Sequence, residues 1–337
     1  MTRIAVIGGG AWGTTLGDLL ARKGEAESVT VWAREPEVVE SITREHVNQL
    51  FLPGAALGST LRANADLVET VRGAEVVVSS APSHVVRDVM ARVGPALTAG
   101  VMVVSVSKGL DPERLTTLSC VLGEALPSGT AIAVLSGPSF AQEVYRRQPT
   151  AVVAAARDHA VAERVQRVFS TSYFRVYSHT DVIGVELGGA LKNVIALAAG
   201  MLEGLGLGHN TRAALITRGL AEITRIGVAL GAEPATFAGL AGMGDLILTA
   251  TGPLSRNHSL GVELGRGKTL AEAQAGRATV AEGVNTARAA VTLAKRHGVE
   301  LPIAEQVAEV LFQGKSPRHA VADLMERELK AEQWGGR

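Results

Sequence analysis

The sequence predicts an α/β fold, a doubly wound and mostly parallel sheet followed by an all-helical C-terminal domain. Three observations carry this expectation. Short β-branched runs alternate with helical segments as far as about residue 180, the pattern of βαβ units. The runs are apolar on both faces, which suits strands covered by helices on both sides. Beyond Asp181 only helical periodicity remains, broken by glycine-rich stretches.

In chain order, strands are expected at 4–7, 29–32, 76–80, 101–106, 132–135, 151–155 and 174–177. Helices are expected between most of them, at 14–23, 36–45, 85–93, 115–126 and 160–169. The second part reads as helices at 185–202, 212–230, 270–274, 286–297, 303–311 and 316–328. At about 150 residues per domain, 337 residues suit two domains, here 1–180 and 181–337. No low-complexity linker separates them, which predicts a fixed cleft between the two.

Composition narrows the class. Hydrophobic residues make up 47% and charged residues 20%, enough to bury a large core. Basic and acidic residues cancel at 33 each, so no basic face for nucleic acid is expected. The lone Cys120 cannot form an internal disulfide and, among Leu118, Val121 and Leu122, reads as core packing. Met1 to Ile7 run into the first strand without a signal peptide, and the apolar stretches fall short of a membrane span. These features predict a cytoplasmic protein, and a homodimer is expected.

The most informative motif opens the chain. Gly8, Gly10 and Gly13 form G-x-G-x-x-G between the first strand and the first helix. Gly8 would allow the tight turn, Gly10 the close approach of a pyrophosphate, and Gly13 the packing of helix on strand. The helix N-terminus supplies N–H donors and partial positive charge for phosphate. The first domain is therefore expected to be a Rossmann-type dinucleotide-binding domain holding NAD or NADP. An acid about 20 residues after the glycines would favour NAD. Ala33 and Arg34 stand there instead, and Arg34 could pair with a 2′-phosphate. NADP is somewhat favoured on this ground, although Glu35 keeps NAD open; the lesser alternative is that Arg34 is a solvated surface residue.

Other strand ends should point into the same cleft. They carry Ser83 and His84, then Ser107 and Lys108, then Gly137, Ser139 and Ala141. Lys108 is either a cation beside the nicotinamide or a surface lysine, Ser139 either a ligand contact or an N-cap. His84 receives no role.

In the second part, Lys192 and Asn193 interrupt an apolar helix rich in small residues. A buried ammonium has a depressed pKa and makes a useful acid or base near neutral pH. The alternative is a snorkelling lysine with its stem in the core. Asp245 could hold Lys192, hold a substrate hydroxyl, or cap the next helix. Ser255, Arg256 and Asn257 before a helical run make either a phosphate seat or an ordinary N-cap. Thr279, Val280, Ala281 and Glu282 fit a capping box. No His, Cys or Asp cluster has metal-ligand spacing.

With these segments in hand, the chain resembles the bacterial NAD(P)-dependent sn-glycerol-3-phosphate dehydrogenase family along essentially its whole length. The likeness rests on Gly8 to Gly13, the stretch from Asn48 to Gly54, Ser107 to Leu110, Ser136 to Ala141, Gly189 to Asn193, Gly242 to Leu246 and Ser255 to Asn257. The resemblance implies reversible hydride transfer between NAD(P)H and dihydroxyacetone phosphate, yielding glycerol 3-phosphate for phospholipid synthesis. It implies Lys192 as proton acceptor. Lys108, Gly137, Ser139, Lys192, Asp245, Ser255, Arg256 and Asn257 match its substrate positions. Gly8, Gly10, Ala11, Trp12, Gly13, Arg34, Lys108, Ala141, Arg256, Val280 and Glu282 fall to the cofactor. Ala11 departs from a serine often found there, leaving only a backbone donor. Two rivals remain at this point: a hydroxy-acid dehydrogenase of similar plan, and a non-catalytic NAD(P)-binding regulator.

Overall fold

A computed structural model describes residues 2–276, 281–329 and 331–332. Ten strands are present: β1 (Thr2–Ile7), β2 (Ala26–Trp32), β3 (Val47–Asn48), β4 (Leu52–Ala56), β5 (Leu61–Asn64), β6 (Val76–Ser79), β7 (Met102–Ser105), β8 (Ala131–Ser136), β9 (Thr150–Ala155) and β10 (Phe174–His179). The helices of this part are α1 (Ala11–Lys23), α2 (Pro36–Glu45), α3 (Leu67–Val71), α4 (Val86–Val93), α5 (Leu118–Ala125), α6 (Ala141–Tyr145) and α7 (His159–Phe169). Helices then continue alone: α8 (Val182–Gly204), α9 (His209–Ala229), α10 (Pro234–Ala238), α11 (Asp245–Thr251), α12 (Arg256–Gly265), α13 (Leu270–Gln274), α14 (Glu282–Arg296), α15 (Pro302–Gln313) and α16 (Pro317–Met325).

Eight strands form one sheet in the order β10-β9-β8-β7-β6-β1-β2-β5, parallel except where β9 runs against β8. Successive residues serve opposite faces. Val76, Val78, Met102 and Val104 pack into one core, while Val77 and Val103 pack into the other. Both cores are buried because helices cover both faces, so the runs are apolar throughout. The sheet reverses between β1, which leads to β2 on one side, and β6 on the other. Ligands sit at such a switch point, outside the carboxyl ends of the strands.

Most expected elements form, with ends displaced by a few residues. The expected helix at 115–126 begins only at Leu118, because Leu115 takes a left-handed φ of 58° and turns the chain. The short strands β3, β4 and β5 and the helices α3 and α10 were not anticipated. Two expectations are corrected. Cys120 is exposed: it lies on the outer side of α5, whereas Leu118, Val121 and Leu122 face inwards. The apolar stretch in α8, a helix of 23 residues, does have the length and composition to cross a membrane. Since 94% of that stretch is buried inside the protein, α8 is a core helix.

α8 is the axis of the helical domain and its closest neighbour is α12. The two backbones nearly touch through four glycines. A methyl group on Gly200 or Gly204 would overlap the carbonyl oxygen of His258 or Val262. One on Gly261 or Gly265 would overlap that of Leu197 or Met201. Small residues spaced four apart on both helices permit this contact.

Candidate active site

The glycine turn after β1 is built as its sequence requires. Gly8 has φ 123°, and a side chain there would come 2.8 Å from the Ser80 carbonyl oxygen. A side chain on Gly13 would overlap the Gly8 carbonyl. Nothing lies within 4 Å of the space a side chain on Gly10 would take. Gly10 is also the N-cap of α1, with no side chain satisfying the first N–H groups and no acid in the first turn. These free donors at Ala11, Trp12 and Gly13 suit a pyrophosphate, so the residues present fit a dinucleotide.

Asn48 braces this turn from the β3–β4 hairpin. Its buried amide donates to the Gly9 carbonyl and the Thr14 hydroxyl, both at 2.8 Å, and accepts from the Phe51 N–H. The Trp12 ring packs on Phe174 at 6.4 Å, so its side chain serves the sheet core and only its backbone addresses a phosphate. Ala33 packs against Gly9, where a methyl would come within 2.6 Å of its own. Arg34 follows at the rim, its side chain 82% exposed and paired with Glu35 at 2.8 Å.

On the opposite wall, α8 carries Lys192 into the protein with 5% exposure. Its ammonium donates to Asp245 Oδ1 and, at 2.7 Å, to Thr249 Oγ1. Thr249 passes its own proton to the Asp245 carbonyl at 2.6 Å. The other carboxylate oxygen, Asp245 Oδ2, receives Lys108 Nζ at 2.7 Å. One buried carboxylate thus bridges two lysines, and the cluster keeps an excess positive charge. Burial pushes the Lys192 pKa down to about 7; Asp245 opposes this and Lys108 adds to it. Gly188 and Gly189 make the approach possible, because side chains there would come 2.6 Å from the Ala241 carbonyl and 2.7 Å from the Ser136 hydroxyl.

Lys108 also donates to the Gly137 carbonyl at 2.9 Å, and Ser139 Oγ donates to the same oxygen at 2.9 Å. Gly137 needs φ 138° to turn back from β8. Ser139 is not an N-cap, since α6 is preceded by Phe140 without a side-chain cap. The Ala141 carbonyl accepts from Thr15 on α1 at 3.4 Å, which ties α6 to the first helix.

Ser255 is the N-cap of α12, its hydroxyl accepting from the His258 N–H at 3.2 Å while keeping its own proton to donate. The Asn257 amide donates to Asn193 at 2.9 Å and accepts from the Gly283 N–H at 2.9 Å. Asn257 therefore spends most of its capacity locking α8, α12 and α14 together. Arg256 keeps its side chain exposed and has no hydrogen-bond partner among the described residues. The capping box expected from Thr279 to Glu282 involves Thr279 and so lies outside the described residues. Glu282 is the first residue of α14, and its carboxylate accepts from the Ser83 N–H at 3.1 Å and hydroxyl at 2.5 Å, across from the helical domain to the end of β6. Val280, also expected at the cofactor, lies outside the described residues, as does Thr279.

The structure thus gathers Lys108, Gly137, Ser139, Lys192 and Asp245 into one cluster, and hangs Ser255, Arg256 and Asn257 beside it through Asn193. Sequence reasoning assigned no role to Thr249, Asn193 or Ser83. The spacing of Asp245 and Thr249, four apart on one helix, is the signal that could have found Thr249. No group of three His, Cys, Asp or Glu able to hold a metal occurs among the described residues.

Hydride chemistry needs a dinucleotide at the strand ends and a proton-transferring group beside it. This cleft has a glycine turn that fits a dinucleotide and, on the facing wall, the buried lysine cluster, the arrangement of a nicotinamide-dependent dehydrogenase. The profile described as NAD-dependent glycerol-3-phosphate dehydrogenase N-terminus matches residues 3–162, and its C-terminus counterpart matches residues 181–322. The chain belongs to the NAD-dependent glycerol-3-phosphate dehydrogenase family. A glycerol-3-phosphate dehydrogenase of Citrifermentans bemidjiense, named for NAD(P)+, is 56% identical over 98% of either chain. Its namesake in Geobacter sulfurreducens is 56% identical over 98% of this chain and 99% of its own. The crystal structure of glycerol-3-phosphate dehydrogenase from Coxiella burnetii superposes with a TM-score of 0.92 at 38% identity, over 97% of this chain and 99% of that one.

Proposed function

We propose that the protein interconverts dihydroxyacetone phosphate and sn-glycerol 3-phosphate with NAD(P)H, supplying glycerol 3-phosphate for phospholipid synthesis. The observation that carries the reading is Lys192, buried in α8 and shared with Lys108 through Asp245. The bound nicotinamide supplies or takes the hydride at the substrate carbon. Lys192 gives a proton from Nζ to the ketone oxygen in reduction and takes it back in oxidation. Its positive charge, with that of Lys108, stabilises the developing alkoxide. Asp245 and Thr249 hold the ammonium in place. The N–H groups opening α12, with Ser255 and Arg256, seat the phosphate, and Asn257 fixes that seat to α8. Gly137 and Ser139 line the facing wall.

Gly8, Gly10, Ala11 and Gly13 would hold the pyrophosphate, and Glu282 and Ala141 would flank the dinucleotide. Arg34 follows β2 in place of the acid that would take the ribose hydroxyls and would pair with a 2′-phosphate on releasing Glu35, so NADPH is expected to be used at least as well as NADH. Residues 1–180 form the dinucleotide-binding domain and residues 181–337 the substrate domain. A homodimer in the cytoplasm completes the proposal.

The test is nicotinamide absorbance with dihydroxyacetone phosphate, run with NADPH and then NADH. Oxidation of both is expected, with kcat/KM at least as high for NADPH. A strong NADH preference removes the role given to Arg34. Lys192→Ala should abolish turnover with cofactor affinity nearly unchanged; surviving turnover overturns the proton-transfer role. Arg256→Ala should mainly raise KM for the phosphorylated substrate.

A further inference from the structure

A second cationic site lies away from this cleft. The 110–117 segment of the dinucleotide-binding part and the helices α14 and α15 line an open surface pocket of about 400 Å³. One wall is a stripe of α14 at three- and four-residue spacing: Asn285, Arg288, Thr292 and Arg296. Arg288 stacks its guanidinium on the Phe312 ring of α15, 4.2 Å from the centroid, which fixes the plane of the cation without neutralising it. Neither arginine has a carboxylate partner among the described residues. Arg296 sits in the last turn of α14, where a cation complements the helix end. Arg288, two turns earlier, has no such explanation. Glu113, on the facing segment, also lines the pocket and leaves the two arginines in excess.

Two guanidiniums without a carboxylate partner among the described residues and one amide share a single face, opposite a wall from the other domain, while the Thr292 hydroxyl between them donates to the Arg288 carbonyl at 2.9 Å; the two cations and the amide form an anion seat. We propose that this pocket is a second ligand site, which binds a small phosphate-bearing anion through Arg288 and Arg296, separately from the substrate. A ligand held there touches both the 110–117 segment, just beyond Lys108, and α14, whose first residue Glu282 grips Ser83. Its binding therefore bridges the two walls of the cleft. The proposal does not depend on the reaction assigned above.

The test is titration calorimetry with inorganic pyrophosphate on the Arg256→Ala protein, whose substrate seat is weakened, kept saturated with NADP+ so that the glycine turn is occupied. Binding is expected to persist there. Adding Arg288→Gln and Arg296→Gln should weaken it roughly tenfold or more. Adding Glu113→Gln instead should tighten it about two- to fivefold, a gain that misfolding cannot produce. Complete loss of binding in Arg256→Ala alone overturns the proposal, as does equal affinity with and without the two arginines. In the otherwise unaltered chain, Arg288→Gln with Arg296→Gln should leave KM for dihydroxyacetone phosphate within about twofold, since neither residue reaches the cleft. A larger rise would assign both arginines to the substrate seat and overturn the proposal as well.

Discussion

Asp245 sets the chemistry of its cluster by serving two lysines at once. Its charge opposes the desolvation of Lys192, whose pKa stands at about 7. Oxidation of glycerol 3-phosphate needs the neutral amine, so kcat/KM in that direction should rise with pH through about 7. Reduction needs the ammonium and should fall over the same range. Asp245→Asn removes the charge that raises this pKa, so both profiles should shift to lower pH. An unshifted midpoint in the variant would show that another group titrates. Lys192 and Asp245 were legible in the sequence because charged residues in apolar or glycine-rich surroundings stand out. The division of labour between Ser255 and Asn257 was not, because Asn257 finds its partners 64 residues earlier and 26 residues later in the chain. Cys120 misled because one helix turn presents apolar neighbours on the inside and leaves the residue between them outside.

At the scale of elements, the glycines between α8 and α12 fix how the site is assembled. Gly261→Ala forces a methyl into the Leu197 carbonyl. It should cost about 1–3 kcal/mol or more, because backbone cannot move aside as a side chain does. Thermal unfolding would read the loss, and KM for the phosphorylated substrate should rise with it, as the shift separates Arg256 from Lys192. An undisturbed melting temperature would mean that the helices can part cheaply. The long helices and central strands were legible from their periodicity. The hairpin β3–β4 and the edge strand β5 were not, since two to five residues show no period and owe their form to Asn48 and to pairing with β2. The glycine spacing on α8 and α12 was visible, but only the crossing shows that the two stripes face each other.

Stability belongs to the whole molecule, and buried carboxylates carry part of its pH dependence. Glu186 on α8 accepts from the Ser119 N–H at 2.8 Å and from its hydroxyl at 2.5 Å, closing the start of α5 across the domain border. Glu222 on α9 accepts from the N–H groups of Ile303 and Ala304 at 2.7 and 3.2 Å, closing the start of α15. Burial raises both pKa values, that of Glu222 to about 7. A carboxyl whose folded pKa lies above its unfolded one favours the native state at low pH. That contribution is complete below the unfolded value and is lost as pH rises through about 7. The melting temperature should therefore drop between about pH 5 and 8, and Glu222→Gln should flatten the drop. A slope unchanged by the substitution would assign the dependence elsewhere. The two-part plan was legible from the change of periodicity near Asp181, but these long-range clasps, 67 and 81 residues apart, leave no local trace.

The backbone contact of α8 with α12 also works as a gauge. Lys192 stands on one helix, the proposed phosphate seat opens the other, and Asn193 and Asn257 clamp the two just beside them. The distance between the backbones that carry Lys192 and the proposed phosphate seat is thus set by main chain, which has no side chain between the helices to absorb an error. A sugar phosphate one carbon longer would have to lift one end off this gauge. Redesign for longer substrates must therefore recut the Gly137–Ser139 wall and leave the helices as they are.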